Sequence, residues 1–189
     1  MKALRQTFMA AVAVTLCLAF SMLVSAKVSA GECSMYGIAY GSSGAEAHQR
    51  FLRRNTGWSL ESVDDQGDGW VTISYRQSFK NEVAGNITMM VLNGSVSGVI
   101  TIFATQWANE AGLRALAEYV AINVQREIIT CGASVSKTKI SDLDSYFADQ
   151  GKVARLYHFE HSDGILSLVV TFGDIDVVHG ILRELLLKE

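Results

Sequence analysis

Proline is missing from the 189 residues, and with it any proline-rich linker or spacer. Basic side chains are also few. The 16 Lys and Arg stand against 19 Asp and Glu, a formal charge of -3, which argues against a nucleic-acid binder because such proteins carry a basic footprint. The cysteines form no Cys-x-x-Cys, so the spacing of a zinc or redox pair is absent. No Gly-x-Ser-x-Gly elbow of a nucleophilic hydrolase occurs, since residues 41–44 and 94–98 place their glycines and serines at other intervals. Residues 41–44 also lack the lysine of a phosphate loop, so helix capping is favoured there over anion binding. No repeat of fixed period and no low-complexity run interrupts the chain, and one domain is the economical reading of its length.

The first feature present is an export signature. Lys2 and Arg5 precede an uncharged apolar run over residues 6–26, followed by Val-Ser-Ala at 24–26 and again at 28–30. A basic start, an apolar middle and small residues at the end predict a signal peptide over residues 1–30, cleaved after Ala26 or Ala30. The rival is an uncleaved anchor, because the run approaches the roughly 20 residues that span a bilayer; two successive cleavage-type sites favour removal. The expected mature protein, residues 31–189, is periplasmic or secreted and not held by the membrane. Cleavage after Ala30 removes Lys2, Arg5 and Lys27 and no acid, which leaves 13 basic against 19 acidic residues, a charge of -6. Cys17 leaves with the signal. Cys33 and Cys131 remain and, in an oxidising compartment, predict one disulfide. Its loop of about 100 residues is worth roughly 4.7 kcal/mol in the chain-entropy model.

The chain is organised around residues 107–132. Leu113, Leu116, Val120, Val124, Ile128 and Cys131 recur every three or four residues, with Tyr119, Ile122 and Ile129 widening the stripe, which predicts a long amphipathic helix that roofs a sheet. Glu110, Arg114 and Glu118 form a solvated ladder on its other side, and Gly132 suits a left-handed cap. Before it, Tyr36, Ile38 and Tyr40 alternate as in a short edge strand or an ordered lead-in. Ser43 and Glu46 make a capping box for a surface helix over 45–54. Strands are expected at 58–63 and 69–76 around an acidic turn at 64–69, and at 86–92 and 96–104 around Asn93-Gly94, a pair suited to a type I′ turn. The 96–104 strand is apolar on both faces and belongs at the sheet centre or is covered on both sides. After it, Ser141 and Asp144 suggest a short helix reaching Ala148. A third hairpin follows at 152–161 and 164–172, then a helix beginning at Asp176. The expected fold is a single α+β domain: an antiparallel sheet of about six strands from three hairpins, with the long central helix and the C-terminal helix packed on one face. By element order alone this resembles the α+β secretion-chaperone-like folds, a likeness that carries no function.

Candidate sites are few. The acidic turn is not a calcium loop, because aligning Asp64, Gln66, Asp68 and Gly69 with its first positions puts Tyr75 where a bidentate Glu is required. His158 and Glu160 share a strand face while His161 points away, which makes the first two weak candidates for metal or catalysis; His48 and His179 lie on separate predicted helices. Trp70, with Tyr36 and Tyr40, offers a possible contact surface. Asn86-Ile87-Thr88 and Asn93-Gly94-Ser95 match glycosylation sequons. The expected function is an exported, non-catalytic binding protein without cofactor, engaging a protein partner or a second copy as chaperone, inhibitor, immunity factor or assembly factor. Alternatives are a small hydrolase or metal-dependent enzyme centred on His158 and Glu160, and a small-ligand carrier with a pocket between helix and sheet.

Overall fold

The computed structural model describes residues 34–79, 83–140 and 143–187; the expected signal peptide and Cys33 lie outside them. Helix α1 (Gly44–Arg54) leads into four strands, β1 (Ser59–Gly67), β2 (Trp70–Ser78), β3 (Ala84–Leu92) and β4 (Ser95–Gln106). Helix α2 (Glu110–Cys131) is followed by β5 (Ser134–Ile140), β6 (Leu143–Asp149), β7 (Val153–Ser162) and β8 (Ile165–Asp174), and α3 (Ile175–Leu187) closes the order. All eight strands form one antiparallel sheet in the order β1-β2-β3-β4-β8-β7-β6-β5. Each half is a four-strand meander followed by a helix, and the halves join where β4 pairs with β8, Val99 opposite Phe172 and Phe103 opposite Leu168. The strand with apolar residues on both faces is thus central, as its composition predicts.

Tight turns set the register. Asn93 and Gly94 have φ of 49° and 81°, and Asp163 and Gly164 have 51° and 76°, the left-handed pairs that match the twist of a two-residue hairpin. The acidic stretch is shorter as a turn than the sequence suggests: Asp64 and Asp65 pair with Thr72 and Val71 within the β1–β2 ladder. The expected helix before Ala148 is strand β6, and the polar Lys137–Lys139 stretch is strand β5. Asp144 does not cap a helix. It forms a 2.7 Å ion pair with Lys137 across the β5–β6 ladder. Lysines on an outermost strand also discourage edge-to-edge association. The sheet therefore has eight strands from four hairpins rather than six from three.

The helices do not share a face. Along β7, Tyr157 belongs to the cluster containing Leu116, Val120, Phe103 and Phe172, under α1 and α2. Ala154 and Leu156, which alternate with it, belong to a second cluster with Phe147 and Val178 under α3. Strand alternation sends these two sets to opposite sides of the sheet, so α3 packs on the reverse face. Beyond α3 that reverse face is open, with Ile102 exposed on β4. Among the described residues no helix is long and apolar enough to cross a membrane.

Two local expectations also change. Residues 35–38 form a closed turn, Met35 and Ile38 exchanging backbone hydrogen bonds of 2.9 and 3.0 Å, in place of an edge strand. Ser43 occupies the N-cap of α1 without a side-chain cap bond. The Gly44 amide donates instead to the Gly94 carbonyl at 2.9 Å and the Gly41 amide to the Val96 carbonyl at 2.8 Å. The capping box is displaced by stitching to the β3–β4 hairpin, and these two amides have no capacity left for an anion. The α1 helix is no bystander on the surface either, since Phe51 is fully buried and its ring centroid lies 4.2 Å from that of Tyr75.

Candidate functional site

The long helix starts at an Asn109 cap, whose Oδ1 accepts from the Gly112 amide at 3.1 Å, and ends on Gly132 at φ 61°. Its buried stripe is narrower than the apolar spacing implies. Leu116 and Val120 are buried, but Ile122, Ile128 and Ile129 are 65%, 51% and 71% exposed. In the C-terminal half the inward stripe passes through Tyr119, Asn123 and Glu127 instead. Glu127 is 1% exposed. Over this half the helix faces a polar floor rather than the apolar core.

That floor comes from β7. Arg155 and Tyr157 alternate onto the face under α2, and Arg155 is 6% exposed. Glu127 Oε1 accepts from Arg155 Nη1 and, at 3.2 Å, from the Tyr157 hydroxyl, while Glu127 Oε2 accepts from Gln150 Nε2. The Arg155 guanidinium also stacks 4.9 Å from the Phe172 ring centroid, a cation–π contact. Burial pushes the Tyr157 hydroxyl well above the ordinary tyrosine range, so it stays a neutral donor. Arg155 Nε and Nη2 and Gln150 Oε1 have no hydrogen-bond partner among the described residues.

Above this network lies a cavity of about 710 Å³, bounded by the second half of α2, the 34–37 turn and the end of α1. Its charged lining is Arg54, Arg126, Arg155 and Glu127, three guanidiniums against one carboxylate. Arg54 and Arg126 are exposed at its rim, and neither makes an ion pair among the described residues. A second cavity of about 480 Å³ adjoins it, lined by Trp58, Phe79, Phe103, Val83 and Leu116. Tyr36 and Tyr119 line both, and their hydroxyls are 2.6 Å apart. Burial raises both tyrosines above their ordinary range, Tyr36 further through its proximity to Tyr119. Two neutral hydroxyls in contact use one hydrogen between them, so the accepting hydroxyl keeps its own for a third group.

Tyr36 carries a second mark. Its φ of 54° lies in the left-handed region, and the other non-glycine residues there are Asp68, Asn93 and Asp163, types that tolerate it. A tyrosine in that region costs on the order of 1 kcal/mol and persists only when its surroundings hold it. Here the ring sits 6.4 Å from Phe51 and 6.1 Å from Trp58, with the hydroxyl on Tyr119. Such strain is concentrated at working sites.

The sequence-derived candidates are scattered. Tyr36 faces inward and lines both cavities. Tyr40 is exposed, its hydroxyl 3.3 Å from Asp174. Trp70 is 37% exposed at the start of β2. His158 and Glu160 do share a face, with Nε2 3.1 Å from Glu160 Oε1. His158 is only 3% exposed, however, and its Nδ1 has no partner among the described residues. His161 stacks on Trp107, His179 on Phe147 and His48 on Tyr75. Among the described residues no group of three or more His, Cys, Asp or Glu is placed to hold a metal. Cys131 lines the larger cavity together with Ser34, the neighbour of Cys33. Sequence reasoning missed Glu127 and Arg155. Their signal was a lone acid on the inward stripe of an apolar helix and a lone base in the apolar first half of β7.

Fold and site together describe an α+β protein with a polar and an aromatic cavity under one helix. Comparison with protein-family models, with curated proteins and with solved structures returns no match.

Proposed function

We propose that this is an exported binding protein whose ligand is a small molecule held between α2 and the sheet. The observation that carries the reading is the pair of adjoining cavities meeting at Tyr36 and Tyr119. Each falls in the range of about 300–1,000 Å³ typical of ligand pockets, and the mix of apolar walls with a few fixed polar groups is also typical. Export rests on the basic, apolar and small-residue segments of residues 1–30. Native mass spectrometry of the protein recovered from a cell that exports it tests the reading. A mass excess released by denaturation supports it; a bare chain that also fails to take up any apolar probe overturns it.

A second reading, recognition of a protein partner, is favoured by Ile122 and Ile129. They stand seven residues apart on one stripe of α2 and are more than half exposed. Under this reading Ile122→Lys with Ile129→Lys abolishes a stoichiometric complex or dimer seen by sedimentation and leaves thermal stability unchanged. Monomeric wild-type protein that captures no polypeptide in the exporting cell removes it.

A further inference from the structure

The two cavities differ in kind, and the difference specifies a ligand. In the larger one Arg155 uses Nη1 for Glu127, while Nε and Nη2 have no partner among the described residues. Those two nitrogens are fully enclosed, so Arg155 acts on the cavity through its charge and not through an open donor edge. Arg54 and Arg126, without an ion pair among the described residues, add two positive charges at the rim, in a chain whose formal charge is -3. A cationic hollow in an acidic protein concentrates anions there and nowhere nearby. The Tyr36–Tyr119 pair places two hydroxyls at the boundary between the cavities. Beyond it, Trp58, Phe79 and Phe103 form a wall of rings, with centroids 5.7 Å apart for Trp58–Phe79 and Phe79–Phe103.

We propose, on the reading that the cleft holds a small molecule, that its ligand is an amphiphilic carboxylate. The acid group lies between Arg54 and Arg126 over the buried charge of Arg155, and the apolar tail passes Tyr36 and Tyr119 into the aromatic cavity. Both halves contribute: the guanidiniums select charge, and the rings supply apolar area removed from water.

The test titrates the protein with decanoate, decanol and acetate, following Trp58 fluorescence and heat. Decanoate is expected to bind, with decanol and acetate each weaker by about tenfold or more, the loss of a charge-assisted hydrogen bond or of the tail's burial. The variant Arg54→Gln/Arg126→Gln changes exposed side chains without ion pairs and so keeps the fold. It is expected to weaken decanoate about tenfold and leave decanol unchanged. Decanol binding as tightly as decanoate, indifferent to the arginines, overturns the anionic headgroup and leaves the small-molecule reading standing. Acetate binding as tightly as decanoate overturns the tail. Uptake of none of the three overturns the inference and, with a bare chain from the exporting cell, the proposed function too.

Discussion

Replacing Glu127 with leucine isolates the buried network under α2. Leucine is close to glutamate in volume, so little cavity is created, and the change falls on electrostatics. The carboxylate is 1% exposed and receives Arg155, Tyr157 and Gln150 on its two oxygens. Without it, Arg155 is a buried cation left with the Phe172 ring and, at 3.5 Å, the Tyr157 hydroxyl. Removing one partner of a buried ion pair costs about 3–5 kcal/mol. The Tyr157 hydroxyl and Gln150 amide lose their acceptor as well, which keeps Glu127→Leu near the upper part of that range. Against a typical total of about 5–15 kcal/mol, this brings the domain to the margin. The double variant Glu127→Leu/Arg155→Leu removes both charges, and replacing a whole buried pair with apolar groups is often near neutral. It should therefore be more stable than Glu127→Leu by about 2 kcal/mol or more, a coupling read from urea unfolding of the four proteins followed by far-ultraviolet circular dichroism. If Glu127→Leu costs less than about 1 kcal/mol, or if the double variant loses the sum of the two singles, the network is not the coupled unit described.

Glycines on the two long helices should respond in opposite ways. A Cβ at Gly112 would stand 2.9 Å from Thr105 Cβ and nearer still to its hydroxyl, so Gly112→Ala should cost about 1–3 kcal/mol by pushing α2 off β4. Nothing lies within 4 Å of a Cβ at Gly180, and Gly180→Ala should stabilise by about 0.5–1 kcal/mol; denaturant midpoints decide both. Alkaline pH offers a third measurement. Burial raises Tyr36, Tyr119 and Tyr157, and raises Tyr75 to about 12 from 10.0. A raised folded value means that stability is intact below the unfolded value of 10.0 and is lost as pH climbs toward the folded ones. Urea midpoints should hold to about pH 10 and fall above it, with tyrosinate absorbance appearing together with unfolding. Midpoints constant to pH 12 would contradict the burial of these hydroxyls. Finally, if Cys33 and Cys131 are joined, thiol titration of the unreduced exported protein finds no reactive thiol, and reduction lowers its melting temperature. Two thiols before reduction would dismiss the staple.

Much of the frame was legible because it is local. Asn93-Gly94 and Asp163-Gly164 announce their hairpins through residues that accept positive φ, and the apolar β4 strand announces a central position. Strands β5 and β6 were harder. Each carries polar residues at alternate places, and Ser141 with Asp144 imitates a cap until Lys137 is seen to claim Asp144 across the ladder. Which face α3 covers was not legible either, since an apolar helix stripe fits either side of a sheet and only the alternation of Leu156 against Tyr157 decides.

The site itself was hidden for a different reason. Glu127 and Arg155 are 28 residues apart in sequence, and each alone looks like an ordinary surface charge on an amphipathic element. Their meaning appears when both are found on inward faces, where an unpaired charge is expensive and a paired one fixes the packing. The same holds for Tyr36, whose left-handed backbone can be known only from the turn that closes around it. The stripe of α2 was read by its apolar members, three of which face water. Its polar members, Tyr119, Asn123 and Glu127, face inward and form the wall of the larger cavity. A polar residue at a core-facing position costs stability unless something answers it. At Glu127 the answer comes from Arg155, Tyr157 and Gln150 together.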